Sequence, residues 1–346
     1  MEPTLDRIKQ SCHPTLDYGP PPETANRMLG NIPRPYRAVF FPYGYELHFE
    51  TNSESAMRMA TRCFSSWGRR FNERPLELRC LVAPSENDVG EPVPPILHRI
   101  QHHLLTGIAN RENFYCCDLS AGFAFACVTS GTAEDEEFLC VPIEDTVCAL
   151  LWTSHVVAIH SACVMLDGRG VLLAGDSGAG KSSLAYACAR RGWTFVSDDT
   201  SCLVKRGEGR RVIGNPYKFR FRETAGSLFP EFRGFKESRR AYGKPTIEVP
   251  TGTLTEIRSS VESSADYIVF LNRHNGQKGK AEFAPVPMEQ KLRRLFTGNW
   301  PSDLPARQED WVALQRLANV PAFELRYREL DVAVDALEHI MGGERC

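Results

Sequence analysis

Hydrophobic and polar positions follow one pattern before residue 145 and another after it. In the first part, short apolar runs alternate with turn residues, and one run repeats its apolar positions at helical spacing after serine caps. This mixture predicts an α+β domain over residues 36–145, preceded by an irregular arm over residues 1–35 that is rich in proline and polar residues. The individual elements are strands around a Pro-Tyr-Gly turn at 37–50, a helix at 53–67, a strand at 76–84 and a hairpin at 112–131.

The second part alternates strands with helices. An apolar strand at 170–175 is followed by a helix at 181–192, and a second strand at 193–199 ends in two aspartates. Near the end of the chain a strand at 322–327 precedes a helix at 331–341. This order predicts an α/β domain over residues 146–346.

The segment 147–166 contains no Lys, Arg, Asp or Glu and has about the length of a membrane span. It also contains two His, two Ser and one Thr, which the centre of a bilayer disfavours, and it continues into the strand at 170–175. We therefore expect a buried helix followed by a buried strand, and no membrane segment.

A glycine-rich stretch between the strand at 170–175 and the helix that follows matches G-x-x-x-x-G-K-[ST]. Its glycines let successive backbone N–H groups point at an anion, and the helix N-terminus adds positive potential. Lys181 would contact the β and γ phosphates, and the Ser182 hydroxyl is placed to ligate Mg²⁺. The alternative is a glycine-rich turn without a ligand. The residues predicted to hold the nucleotide are Gly175, Asp176, Ser177, Gly178, Ala179, Gly180, Lys181, Ser182 and Ser183.

Two adjacent carboxylates follow the strand at 193–199. In a parallel sheet, the end of such a strand lies beside the phosphate loop, where Asp198 and Asp199 could divide metal binding and proton abstraction between them. The alternative is that the pair caps the turn into the next strand. His160 precedes the loop strand, and by itself it is more typical of a core histidine than of a catalytic one.

Composition narrows the function classes. The net charge of −2 gives no reason to expect nucleic acid or an anionic membrane as a partner. The N-terminal residues lack the apolar core of a signal peptide, so a cytoplasmic location is expected. The twelve cysteines lie mostly in apolar segments and show no zinc spacing, which indicates reduced structural thiols, with Cys116–Cys117 as a redox pair the alternative.

Residues 218–244 are basic and aromatic, with eight Lys or Arg against three Glu. Arg220 and Arg222 alternate on a strand, so both would point to one face and could hold the γ-phosphate or an acidic acceptor; a solvated surface is the alternative. Glu248 is a candidate second metal ligand. Arg273, after an apolar strand, is a candidate for stabilising transition-state charge.

Residues 155–204 resemble the catalytic domain of HPr kinase/phosphorylase, which has a His before the loop, a GDSGxGKS loop and paired aspartates about twenty residues after the lysine. The resemblance continues loosely to about residue 340. It implies an α/β fold akin to phosphoenolpyruvate carboxykinase, with a P-loop in a mixed sheet. It also implies Mg-ATP-dependent phosphoryl transfer to a hydroxyl, usually of a protein serine. Asp198 would then join the metal site, Asp199 would take the hydroxyl proton, and His160 would orient Asp199.

The chain departs from that family at several points. Bifunctional members carry Glu where this chain has Ser183, and their later glycine-rich signature is missing, so phosphorylase activity is not expected. The first 145 residues show no similarity to the usual N-terminal domain, which leaves a protein, a peptide or a small molecule as the hydroxyl acceptor. We therefore expect a kinase that uses ATP and Mg²⁺; a nucleotide-gated regulator without kinase activity is the alternative. The sequence leaves open whether the chain forms a homo-oligomer.

Overall fold

The computed structural model describes residues 32–85, 94–222, 225–235, 237–238, 245–273, 276–296 and 304–342. Most of the predicted arm over residues 1–35, and parts of the basic stretch 218–244, lie outside these residues. The described residues form a mixed α/β architecture with several sheets.

The first region is a seven-stranded sheet with helices on it. Its strand order is β1-β2-β3-β7-β6-β5-β4. The Ser53 hydroxyl accepts from the N–H of Ala56 and caps the predicted helix, which is therefore confirmed. The elements are β1 (Tyr36–Phe40), β2 (Leu47–Thr51), α1 (Glu54–Phe64), β3 (Leu76–Ala83), β4 (Leu97–Gln101), β5 (Leu104–Ile108), β6 (Phe114–Asp118), β7 (Phe123–Thr129) and α2 (Ser130–Ala133).

The second region follows α3 (Glu136–Ser154) and contains three sheets, ordered β11-β9-β10-β18-β20-β19, β17-β13-β12-β8 and β14-β16-β15. Its strands are β8 (Val156–Ile159), β9 (Ser161–Leu166), β10 (Arg169–Ala174), β11 (Thr194–Ser197), β12 (Ser201–Val204), β13 (Arg211–Gly214), β14 (Lys218–Arg222), β15 (Glu237–Ser238), β16 (Thr246–Pro250), β17 (Glu262–Ser264), β18 (Tyr267–Asn272), β19 (Glu282–Pro285) and β20 (Ala322–Arg326). Its helices are α4 (Lys181–Arg190), α5 (Ala225–Leu228), α6 (Met288–Leu295), α7 (Pro305–Gln315) and α8 (Leu330–Gly342).

Strand β10 is covered on both faces, and this fixes the point from which the glycine-rich loop departs. Val171 and Leu173 belong to a hydrophobic cluster with Leu184 of α4, whereas Leu172 belongs to a second cluster with Ile268 of β18. Successive side chains of a strand point to opposite faces, so both clusters hold the same strand.

The strand before the aspartate pair, β11, does not lie next to β10. Strand β9 runs between them and is antiparallel to both β10 and β11. Strands β10 and β11 therefore run in the same direction and end at the same edge of the sheet. The β10–β18 and β18–β20 pairs are parallel, so the sheet is mixed, as predicted.

Helix α3 joins the two regions through one core. Its buried residues Leu139, Ile143 and Leu150 share a hydrophobic cluster with Leu78 of β3 and with Cys202 of β12. The expected boundary between residues 145 and 146 falls inside this helix. The uncharged segment 147–166 forms the end of α3 followed by β8 and β9, which confirms the helix-then-strand prediction. Within the described ranges, no helix is long and apolar enough to cross a membrane.

Candidate active site

The glycine-rich loop connects the end of β10 to the start of α4. Gly178 and Gly180 have φ of +90° and +96°, a left-handed conformation that favours glycine. A Cβ on Gly180 would lie 3.0 Å from the Tyr327 hydroxyl oxygen, so the loop is also tightly packed at this point. That hydroxyl donates to the carbonyl of Ala179 at 3.3 Å.

Tyr327 was missed by the sequence analysis. It follows β20, which runs parallel to β18 and hence in the direction of β10, so its position at the end of that strand is the signal that could have placed it beside the loop.

Lys181 is the first residue of α4 and is buried. Its Nζ donates to the carbonyls of Gly175 and Asp176, at 2.8 and 3.1 Å, and lies 2.9 Å from Nε2 of His160. Burial lowers the pKa of Lys181 from its usual value, although Asp199 and Asp176 oppose this effect. The amine is therefore held at the loop by three neighbours.

His160 links Lys181 to Asp199. A lysine ammonium can only donate, so Nε2 of His160 accepts and the ring proton of the neutral histidine sits on Nδ1. Nδ1 lies 3.5 Å from Oδ1 of Asp199. The side chains of His160 and Asp199 are 47% and 52% exposed, so the carboxylate is accessible to a reactant. Sequence reasoning placed these three residues in one site, and the structure brings them together.

Asp198 has a different environment from its neighbour. Asp198 is 8% exposed, and its carboxylate accepts a hydrogen bond from the backbone N–H of Arg220 on β14. Burial raises the pKa of Asp198 to about 6, with the Arg220 charge acting in the opposite direction. The Ser182 hydroxyl lies 3.4 Å from the backbone carbonyl of Asp198. The adjacent acids are thus unequal: one is buried and bound by β14, and the other is half-exposed beside His160.

A cavity of about 500 Å³ lies in front of the loop. Arg222 donates to the Ser177 hydroxyl at 3.2 Å, and Arg220 and Arg273 add two further guanidinium groups to the cavity wall. The predicted site residues that line it are His160, Ser177, Gly178, Gly180, Lys181, Ser182, Ser183, Asp199 and Arg273. Its apolar wall, which the sequence did not predict, comes from Phe221, Ala225 and Leu228.

A second cavity, of about 220 Å³, meets the first at Asp199 and Arg220. Asp198 lines this second cavity rather than the first. The remaining walls come largely from the first region and from α3, through Tyr43, Cys63, Trp67, Glu144, Cys148 and Trp152. Asp199 therefore stands between a cationic cavity and an aromatic one.

Glu248 lies in neither cavity. Its carboxylate accepts from Lys218 at 3.0 Å and from Nε of Arg220 at 2.9 Å, and it lines a separate groove. Its role as a second metal ligand stays a prediction. The sequence did not predict the ion pairs between the basic residues of β14 and Glu248 on the neighbouring strand β16.

The site residues suit a polyphosphate and a divalent cation. The loop glycines, the N-terminus of α4, Lys181 and the arginines of the first cavity all favour a multiply charged anion. The Ser182 hydroxyl and the two aspartates supply the oxygen ligands that Mg²⁺ prefers.

Comparisons with known proteins point to the same segment. A family model described as the HPr Serine kinase C-terminal domain matches residues 153–223. A putative HPr kinase/phosphorylase 2 from Oceanobacillus iheyensis is 40% identical over 58 residues, which cover 17% of this chain and 19% of the relative. The HPr kinase/phosphorylase of Clostridium tetani is 32% identical over 89 residues, covering 26% of this chain and 27% of the relative. The alignments thus span only about a fifth to a quarter of these relatives.

Among solved structures, the Hpr(Ser) kinase/phosphatase from Coxiella burnetii matches with a TM-score of 0.31 and 12% identity, over 54% of this chain and 99% of that chain. The sequence matches carry the assignment. The predicted enzyme class, a phosphotransferase, is the class for which the relatives are named. Because the matched segment holds His160, the loop and the aspartate pair, the chain is a distant relative of the HPr kinase/phosphorylase family, as the sequence resemblance implied.

Proposed function

We propose that this protein is a kinase that transfers the γ-phosphoryl group of ATP to a hydroxyl group in a Mg²⁺-dependent reaction. The observation that carries the proposal is the contact series Lys181–His160–Asp199 at the wall of the first cavity. It joins the loop lysine to an accessible carboxylate through a histidine whose proton faces that carboxylate. A glycine-rich turn with a purely structural role would not require these contacts. A cytoplasmic location, where the cysteines stay reduced, belongs to the same proposal.

The first cavity would hold the triphosphate. Lys181 has its donors directed at two loop carbonyls and at His160, and it would exchange some of these contacts for phosphate oxygens. Arg222 and Arg273 would neutralise further charge, Arg273 at the transferring group. Ser182 and Asp198 would ligate the cation, which supplies charge neutralisation at the phosphates.

Asp199 would accept the proton of the attacking hydroxyl. Its carboxylate is half-exposed, and Nδ1–H of His160 would hold it in one orientation. Because Lys181 occupies Nε2, the imidazole tautomer is set by the same lysine that would bind the phosphates. Binding of the nucleotide and orientation of the base are therefore coupled through one ring.

The second cavity would receive the acceptor. Asp199 lines this cavity as well as the first one, and Trp67 and Trp152 form part of its wall. Its volume of about 220 Å³ lies below the roughly 300–1,000 Å³ that is usual for ligand pockets, so it suits one side chain or one small molecule. The relatives are named for the protein HPr. Here the acceptor is a protein, peptide or small-molecule hydroxyl that the first region helps to select.

The test is transfer of label from γ-labelled Mg-ATP into a lysate of the source organism, with products separated by size. We expect label in a discrete product with the wild type and none with Lys181→Ala or Asp199→Asn. Asp167→Asn is the matched control, because Asp167 is exposed in the β9–β10 turn and outside both cavities. ATP binding without transfer would refute the kinase proposal and favour the nucleotide-gated regulator. Equal labelling by wild type and Asp199→Asn would refute the assigned base.

A further inference from the structure

We propose that Cys63, Cys140 and Glu144 form a binding site for a thiolate-preferring divalent cation such as zinc. Cys63 lies near the end of α1, and the other two lie one turn apart on α3. Residues four positions apart share one face of a helix, so Cys140 and Glu144 both face α1 at the point where Cys63 approaches. The proposal is independent of the proposed kinase activity.

The spacing of the three side chains carries the proposal. The two sulfur atoms are 3.9 Å apart, and one ligand atom from each residue lies within 4.8 Å of the other two. With Zn–S bonds of about 2.3 Å, two sulfurs of a tetrahedral site are roughly 3.8 Å apart. A disulfide would need about 2.05 Å. The distance between the two sulfur atoms is thus the distance expected for two cysteines that bind the same cation.

The chemistry of the group is consistent with this spacing. Two cysteine sulfurs and one carboxylate oxygen are ligand types that Zn²⁺ accepts in proteins. Binding forms two metal–sulfur bonds and one metal–oxygen bond and releases both thiol protons to water. The oxidation state of sulfur does not change, so no oxidant is needed.

The fourth ligand position would face a groove. This groove, of about 570 Å³, is lined by all three residues and also by Ser66 and Tyr217. All three proposed ligands are half-buried, so water can reach the open position. Three protein ligands with an open position are typical of zinc sites that are not purely structural.

The site also adjoins the active site. The Glu144 carboxylate lies 3.8 Å from Nη2 of Arg220, whose backbone N–H donates to Asp198. Glu144 lines both the groove and the second cavity. A cation bound by the two cysteines would therefore share the Glu144 carboxylate with Arg220.

The test is titration of the reduced, metal-free full chain with Co²⁺, followed by displacement with Zn²⁺ in the presence of a chromophoric chelator. We expect one Co²⁺ per chain with a thiolate-to-cobalt charge-transfer band. Cys63→Ser and Cys140→Ser should each weaken binding by at least about 10-fold, since even outer contacts of a metal site are worth that much. Cys148→Ser, on the same helix but outside the cluster, should bind as the wild type does.

Two results would overturn the proposal. One is the same Co²⁺ affinity in the wild type and in Cys63→Ser. The other is a wild type that takes up no Co²⁺ and instead forms a Cys63–Cys140 disulfide in air, which would make the pair a redox element. Thermal unfolding of each metal-free variant identifies any that fail to fold, and Glu144→Gln, which keeps both thiols, then provides a second test through weaker binding with the charge-transfer band retained.

Discussion

Substituting Gly180 with alanine tests whether the loop is held by its left-handed backbone and by Tyr327 together. A φ of +96° costs an L-residue about 1–2 kcal/mol. The new Cβ would also lie 3.0 Å from the hydroxyl of Tyr327, a residue that is fully buried and cannot rotate away. Such overpacking costs about 1–3 kcal/mol. We therefore expect Gly180→Ala to lower the free energy of unfolding by about 2–5 kcal/mol.

A matched control separates the two costs. Gly207 has φ of +91° and nothing within 4 Å of the position of a Cβ, so Gly207→Ala carries the backbone cost alone, about 1–2 kcal/mol. Urea unfolding followed by two spectroscopic probes measures both variants, and coincident transitions justify the comparison.

A double-mutant cycle isolates the contact. Tyr327→Phe removes the oxygen that a Cβ on Gly180 would meet, at the cost of its hydrogen bond to Ala179, about 0.5–1.5 kcal/mol. The double variant Gly180→Ala/Tyr327→Phe should then lose at least about 1 kcal/mol less than the sum of the two single losses. Additivity within about 0.5 kcal/mol would refute the steric reasoning.

Three further predictions concern pH, catalysis and the core. Burial lowers the pKa of His155 to about 4, so between this pH and about 6.5 the unfolded chain binds a proton that the folded chain does not. The free energy of unfolding should therefore fall by up to about 3 kcal/mol as the pH drops from about 6.5 to 4. Urea unfolding of His155→Phe should show a smaller dependence on pH. Asp199→Asn should lower kcat by about 10²–10⁴-fold with the Kd for ATP nearly unchanged, and His160→Gln should cause a smaller loss; a raised Kd with normal kcat would place both residues in binding instead. Leu150→Ala, in α3, should lower the free energy of unfolding by about 2–5 kcal/mol, and the chain should still unfold in one transition. Two separate transitions would show that the two regions unfold independently.

Local sequence patterns predicted the local parts of this fold well. The strand, loop and helix from β10 to α4, the β6–β7 hairpin and the capped helix α1 were all recognisable, because apolar periodicity, glycines and caps act over a few residues. The family resemblance implied that His160 orients Asp199, and in the structure Nδ1 of His160 lies 3.5 Å from Oδ1 of Asp199. The contact between His160 and Lys181 was not predicted.

Long-range contacts account for what the sequence did not predict. Asp198 and Asp199 are neighbours with the same chemistry, but Asp198 is buried and accepts from the N–H of Arg220, 22 residues further along the chain, whereas Asp199 is half-exposed. Tyr327 contacts Ala179 across 148 residues. The boundary at residue 145 was placed where the pattern changes, but the apolar face of α3 continues through it without interruption.

The position of α3 has a consequence for how such a protein can be divided or recombined. A chain that starts at residue 146 would keep Leu150 but lose Leu139 and Ile143, and it would leave Val156 and Cys202 with only part of the hydrophobic cluster to which they belong. Expression of the second region alone is therefore expected to yield aggregated material. By the same reasoning, the first region can be exchanged for that of a related protein only if the buried face of α3 is kept, so this helix limits which regions are interchangeable.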